Sequence, residues 1–517
     1  MKIRSIALAA AALVGASSAF AAPAVNVNSS STVKIYLAGS SALRLAVAGI
    51  VGNDVCGGAS AASVTLYNIA ADLTTISGND WAITCNAASG NTLGLTAGTP
   101  VAFFKTDAGG SAQGVFPIAA NTAIPFVNVA DVSKCTMVTA DHVYTGCPVT
   151  DSKVPNFGIS DLEPGMFKGI NVPNDQGLGA PTYSANGLSA GDISALSITP
   201  VVQTVFGVVV NDNLYADMFD YQGLSAKKDA SGVACTTTST DETCIPSIGQ
   251  AVARTVFTGA PSWNLLVKST AAKVGTQFNI CRRVQGSGTQ TAANLQFGAY
   301  GCSNNSLTSL DVNASTSAAP DFMSAWTGKT VNGNLTPINY ARANMGGTSA
   351  DGITFADGTM PTGGVFVFEG PGTGDVVSCI NSAQKAGGYA IGHVSKENIR
   401  KSTDSWKHIR VEGAYPTSTN AKGGNYDYVV ESTMQYGTSA LATLGATQQL
   451  FVKNFVKAMG KPATLNYLSA GSQQGVLTLS NSYTDADPTL SADANVVKFG
   501  SRVTRLGNSC NPLTRAN

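Results

Sequence analysis

The chain has 517 residues, with 31 Lys and Arg against 31 Asp and Glu, and only 12 % of its residues are charged. A net charge of zero supplies no global field to recruit nucleic acid or an anionic membrane surface, so neither is expected as a partner. A chain of this length exceeds one typical hydrophobic core, and two lobes are expected.

The N-terminus reads as a secretory signal peptide over residues 1–21. Lys2 and Arg4 form a basic start, Ile6 to Ala16 is a short apolar run, and Ala19-Phe20-Ala21 is a small-residue cleavage site. No Cys follows that site, so no lipid anchor is expected there, and no later run is long and apolar enough to span a bilayer. The expected location is periplasmic or secreted. Ten cysteines fit an oxidising compartment. Spacing alone does not fix their connectivity. The simplest expectation is closure between sequence neighbours: Cys56 with Cys85, Cys135 with Cys147, Cys235 with Cys244, and Cys281 with Cys302, leaving Cys379 to pair with Cys510. Zinc is the weaker reading, because no C-x-x-C occurs and the chain has 3 His; no metal and no cofactor are expected.

In chain order, Val33, Ile35 and Leu37 alternate with polar neighbours and predict a strand, followed by the loop Gly39-Ser40-Ser41 and a helix beginning near Ala42. Val101 to Lys105 predicts a second strand, followed by Thr106-Asp107-Ala108-Gly109-Gly110-Ser111. Asn156 to Ser160 ends a third strand at Asp161. Val201 to Val210, interrupted by Gly207, predicts a buried strand able to cross between lobes. Phe278 and Ile280 alternate with polar residues up to Arg282-Arg283, and a glycine loop with Gly286 and Gly288 follows. Ser287 and Gln290 have capping-box spacing, and Ala292, Ala293, Leu295 and Phe297 give the apolar face of a helix. Such a helix start offers free N–H groups and partial positive charge to an anion. Leu450, Phe451, Phe455, Val456 and Met459 predict a late helix stopped by Gly460 and Pro462. Stretches rich in Gly, Ser and Thr at 222–242, 303–319 and 343–375 predict surface insertions. Alternating strands and helices argue an α/β fold with largely parallel sheets, where ligands bind at the carboxyl ends of strands.

The order and wording of these loops resemble the phosphate-binding branch of the type II periplasmic binding proteins, the soluble components of ABC uptake systems. That family holds phosphate with an Arg-Arg-x-Asp-Gly-Ser-Gly-Thr motif, matched here by Arg282-Arg283-Val284-Gln285-Gly286-Ser287-Gly288-Thr289. Its Phe-Gly-Ala-Ser-Asp segment, whose Asp accepts the proton of the bound phosphate, is matched by Phe157-Gly158-Ile159-Ser160-Asp161. The first Gly-rich loop resembles Ala38-Gly39-Ser40-Ser41, and the second resembles Asp107-Ala108-Gly109-Gly110. The resemblance lies in islands between residues 33 and 460. It implies a two-lobed α/β fold with an interlobe cleft, lobe one combining residues 22–204 with 395–517 and lobe two spanning 205–394. It implies a ligand set of Ser41, Asp161, Arg283, Ser287, Gly288 and Thr289, with Ser40, Asp107 and Gly109 as further candidates. The implied partners are inorganic phosphate or a similar oxyanion and an ABC permease, with the protein itself a monomer.

Two departures matter. Gln285 replaces the acid that the family sets beside its Arg, and Asp107 falls where the family offers a neutral Ser. A carboxylate that can only accept hydrogen bonds favours a protonated oxyanion such as phosphate or arsenate over sulfate. No catalytic constellation is legible: none of His142, His393 and His408 sits in a nucleophile-elbow context, and Asp485 with Asp487 reads as a solvated turn. The chain is therefore expected not to be an enzyme. The alternatives are a surface or matrix protein that keeps the fold without transport, and a secreted phosphatase.

Overall fold

The computed structural model describes residues 23–139, 142–173, 183–258, 265–268, 270–271, 278–303, 305–309, 330–331, 334–335, 339–342, 365–370, 372–385, 387–479 and 491–515. The proposed signal peptide, most of the 303–319 and 343–375 stretches, and the Asp485–Asp487 turn lie outside them.

Among the described residues, fifteen strands form one mixed sheet. They are β1 (Val33–Gly39), β2 (Thr65–Tyr67), β3 (Asp80–Asn86), β4 (Pro100–Thr106), β5 (Thr136–Thr139), β6 (Val143–Thr145), β7 (Phe157–Ser160), β8 (Leu196–Asn211), β9 (Phe278–Arg283), β10 (Asn339–Arg342), β11 (Val365–Gly370), β12 (Tyr389–Ser395), β13 (Trp406–His408), β14 (Val429–Gly437) and β15 (Val476–Thr478). The path runs β10-β11-β9-β12-β8-β14-β7-β1-β4-β3-β2-β6-β5, and β13 and β15 pair with β8. The helices used below are α1 (Arg44–Gly49), α2 (Asp212–Tyr221), α3 (Gln250–Thr258), α4 (Gly288–Gly298), α5 (Thr373–Lys385) and α6 (Ala446–Met459).

The sheet is less parallel than the sequence pattern suggests. β1 is parallel to β4 and β7, and β9 is parallel to β11 and β12. Between these two groups β8 and β14 run antiparallel to each other and to their neighbours. β8 is 16 residues long and pairs with both halves, so it carries the chain across. Its Val201 to Val210 run is buried, as the sequence pattern predicts. Gly207 within it leaves space for the His408 ring: a Cβ there would lie 2.5 Å from His408 Nδ1.

Two main cores flank this crossing. One gathers Ile35 and Leu37 of β1, Phe103 of β4, Phe157 of β7 and Phe451 and Phe455 of α6. Leu450 lies outside that face and is exposed. The other gathers Val205 and Val208 of β8, Phe278 and Ile280 of β9, and Ala292 and Phe297 of α4, together with Ile409, Tyr426 and Tyr428 from the return segment. A smaller cluster places Cys281 and Phe368 under Val376 and Cys379 of α5. The period of two along β9 thus sends Ile280 toward α4 and Cys281 toward α5, covering both sheet faces. No helix among the described residues is long and apolar enough to cross a membrane.

That alternation corrects part of the disulfide expectation. Cys56–Cys85, Cys135–Cys147 and Cys235–Cys244 close locally as expected. Cys281 instead pairs with Cys379, and Cys302 with Cys510. Cys281 faces α5, whereas the chain leaves β9 along α4 on the opposite face. The 11 residues of α4 carry it about 16 Å before Cys302, so the sequence neighbours end apart.

Candidate oxyanion site

Three loops meet at the carboxyl ends of β1, β4 and β7. They approach so closely that only glycine fits at the contacts: a Cβ on Gly39, where φ is +112°, would lie 2.0 Å from the Ile159 carbonyl oxygen, and one on Gly158 would lie 1.8 Å from that of Gly114. This packing brings two hydroxyls to one carboxyl. Ser40 Oγ donates to Asp161 Oδ1. The Asp161 backbone N–H donates to Ser111 Oγ at 3.1 Å. Asp161 is 2 % exposed. Burial pushes its carboxyl above the usual range, opposed by the hydrogen bonds from Ser40 and Ser111 and the charges of Arg283 and Lys105.

The fourth loop comes from the other core. Gly286, at φ +84°, turns the chain from β9 into α4, and its carbonyl accepts the Ala112 N–H at 3.0 Å. Gly288 sits against Asp161: a Cβ on it would lie 2.2 Å from Asp161 Oδ2 and 2.3 Å from Ser111 Oγ. Ser287 occupies the N-cap position of α4, with φ −70° and ψ 133°, but its side chain makes no capping hydrogen bond. The expected capping box does not form: the Ser287 N–H donates to the Val284 carbonyl at 3.2 Å, and the Gln290 Nε2 donates to Asn294 Oδ1 at 2.9 Å. Ser287 Oγ is instead buried without a hydrogen-bond partner among the described residues. The first N–H groups of a helix also lack partners within it. Thr289, two residues beyond Ser287 in α4, is also buried.

Arg283, at the end of β9, is buried, and its Nη1 donates to Thr373 Oγ1 at 3.3 Å. Burial pulls its pKa down to about 10, with Asp375 and Asp161 acting in the opposite direction. Asp375 lies in the first turn of α5, where its Oδ2 accepts the Gly372 N–H at 2.6 Å. Burial pushes its carboxyl up to about 6, against that hydrogen bond and the charge of Arg283. Among the nearby carboxylates Asp375 acts most on the Arg283 charge, and it comes from another strand–helix junction. Arg282 faces away from this pair and bonds Glu369, its register partner on β11, at 2.7 Å.

Asp107 is not a loose carboxylate at the mouth of the site. It bonds Lys105 Nζ and lies 3.2 Å from Arg44 Nε, with its side chain fully buried. Lys105 Nζ also donates to the Gly39 and Ser40 carbonyls, at 2.8 and 3.2 Å, which ties the first loop to β4. The Asp107 charge is thus offset by two cations, Lys105 and Arg44. Gly109, at φ +74°, shapes the turn over Gln113. Ser41, half-buried, points its segment toward a cavity of about 680 Å³, while it is Ser40 that reaches Asp161. Lys105, Arg44, Ser111, Thr373 and Asp375 escaped the sequence reading. Ser111 alone carried a signal, as a hydroxyl directly after the Gly109-Gly110 pair. His393 packs 4.0 Å from the Phe257 ring and near Phe297 and Tyr428, a core position.

No protein-family model matches the chain, and no curated protein matches it. Solved structures do show a likeness. A protein from Clostridium perfringens, described as a phosphate ABC transporter substrate-binding protein with bound phosphate, is 9 % identical over 86 % of this chain and 99 % of its own, with a TM-score of 0.36. PstS from Borrelia burgdorferi is 9 % identical over 86 % of this chain and 98 % of its own, at 0.31. An ABC-type phosphate transport receptor from Vibrio cholerae is 10 % identical over 58 % of this chain and 74 % of its own, at 0.26. Likeness at this level assigns no role to any residue.

Proposed function

We propose that this chain is an exported solute-binding protein that captures one phosphate-like oxyanion between two lobes and hands it to an ABC permease. The observation that supports this most directly is the Ser287 hydroxyl, buried and unpartnered among the described residues at the start of α4, beside Gly288 where it meets Asp161 and Ser111. A tetrahedral anion there would take the Ser287 and Thr289 hydroxyls, the first N–H groups of α4, and the Arg283 guanidinium, whose planar fork suits two anion oxygens. The lobes would be the two cores: residues 22–204 with most of 395–517, and 205–394 with the segment around 409–428, which shares the second core. In this reading the protein binds and does no chemistry on its ligand.

The test is titration calorimetry of the mature protein with phosphate, arsenate and sulfate. Ionised Asp161 accepts an O–H from the first two and repels sulfate, so phosphate and arsenate should bind and sulfate should not, most sharply at mildly alkaline pH. Arg283→Ala should weaken phosphate by about 2–5 kcal/mol, since it strips the bound anion of a buried charge partner. Sulfate bound as tightly as phosphate, or an unchanged dissociation constant in the variant, sinks the reading.

A further inference from the structure

Beside the oxyanion site lies a cavity of about 680 Å³, and the two share walls. Ser41 borders it from the first loop, and Thr373, which holds Arg283, borders it from the start of the 13-residue helix α5. Its lining includes the apolar Leu73 and Tyr467 and the charged Arg44, Glu397, Arg400 and Lys401. Glu397 is the odd residue. It is 6 % exposed, its Oε2 is buried with no hydrogen-bond partner among the described residues, and it lies where the chain leaves β12 between the cores. A carboxyl in that position is costly unless something satisfies it. Burial pushes it well above its ordinary range, with Arg44 opposing and Asp161 and Asp107 adding to the push. A protonated carboxyl can both donate to and accept from a hydroxyl.

A site shaped only for inorganic phosphate needs no such room. Resting on the oxyanion reading above, we propose that the ligand is a phosphate monoester carrying a small hydroxylated organic group. Its phosphoryl head would sit at Arg283, Ser287 and Asp161, and its organic group would enter the cavity to reach Glu397.

Calorimetry at about pH 6, where a monoester still carries its second proton in part, tests this with inorganic phosphate and glycerol 3-phosphate as probes. Glycerol 3-phosphate should bind about tenfold tighter than phosphate, a 1.4 kcal/mol preference. Glu397→Leu should reduce the two to near parity and leave phosphate within about twofold, a change within ordinary variation at an independent site. Thr75→Trp, at an exposed position on the cavity rim, should block the ester and spare phosphate without disturbing a core. Phosphate bound with the ester equal or weaker overturns this inference alone. An ester preference that survives both variants overturns the cavity assignment. Neither probe binding overturns the oxyanion reading, and this inference with it.

Discussion

At the residue scale the site depends on missing side chains as much as on present ones. Gly288 can lie on Asp161 only because it has no Cβ, which would fall 2.2 Å from Oδ2. Gly288→Ala should therefore separate the fourth loop from the other three. The expected cost is about 1–3 kcal/mol of stability, as for overpacking elsewhere, with phosphate affinity lost far more steeply. Chemical denaturation beside calorimetry checks both, and an alanine variant that binds normally would show that the fourth loop does not close on Asp161. Asp375 makes a second prediction. Its folded pKa, near 6, lies above the unfolded value of 3.8, so its contribution to stability is complete below about pH 4 and is lost as pH rises toward 6. The loss is at most about 3 kcal/mol, because each tenfold difference in proton affinity between folded and unfolded chain is worth about 1.4 kcal/mol. Asp80, buried and raised to about 6, loses stability over the same range. Asp375→Asn should accordingly flatten part of the fall in unfolding free energy between those pH values. A slope unchanged in the variant would mean that Asp375 is ionised throughout.

At the element scale the disulfides divide by what they tie. Cys235–Cys244 closes 9 residues of loop, whereas Cys281–Cys379 closes 98 and joins β9 to α5 behind the Arg283 loop. In the chain-entropy account the longer closure stabilises by about 2 kcal/mol more. Removing Cys281 and Cys379 together should lower Tm well beyond removal of Cys235 and Cys244, and should also weaken anion binding, because α5 carries Thr373 and Asp375. Non-reducing peptide mapping should recover 281 linked to 379 and 302 linked to 510. Recovery of a 281–302 peptide would contradict the placement of α5.

At the scale of the whole molecule, one sheet serves both cores, and β8 and β14 run through its middle. Cys302–Cys510 adds a covalent tie, and the C-terminal segment also bonds the central strand β14: Thr504 Oγ1 and the Arg505 N–H donate to Glu431 Oε1 at 2.6 and 2.7 Å. The two cores should therefore unfold together in one calorimetric transition. An anion held by loops from both should raise that transition as a unit, by about 2.7 kcal/mol when present at 100 times its dissociation constant. Two resolved transitions, with only one shifted by phosphate, would show that a single core carries the site.

The loops themselves were legible in the sequence. Gly39-Ser40, Gly109-Gly110, Ser160-Asp161 and Gly286-Ser287-Gly288 each announce a strand end by local chemistry, since glycine and small hydroxyl residues are what such turns require. The α/β class, the buried crossing strand and the three short disulfides follow from equally local signals. Tertiary structure decided everything that depends on which elements become neighbours. Cys281 turned from Cys302 to Cys379 because alternate residues of β9 face opposite layers. Asp107 became a counter-ion because Lys105, hidden within an apolar strand, lies beneath the first loop. Asp375 came near enough to act on the Arg283 charge because β11 pairs with β9 in register, Gly370 opposite Arg283, and delivers α5 to the same edge. Pairing and register are set by contacts between residues far apart in the chain, and periodicity within any one segment carries no record of them.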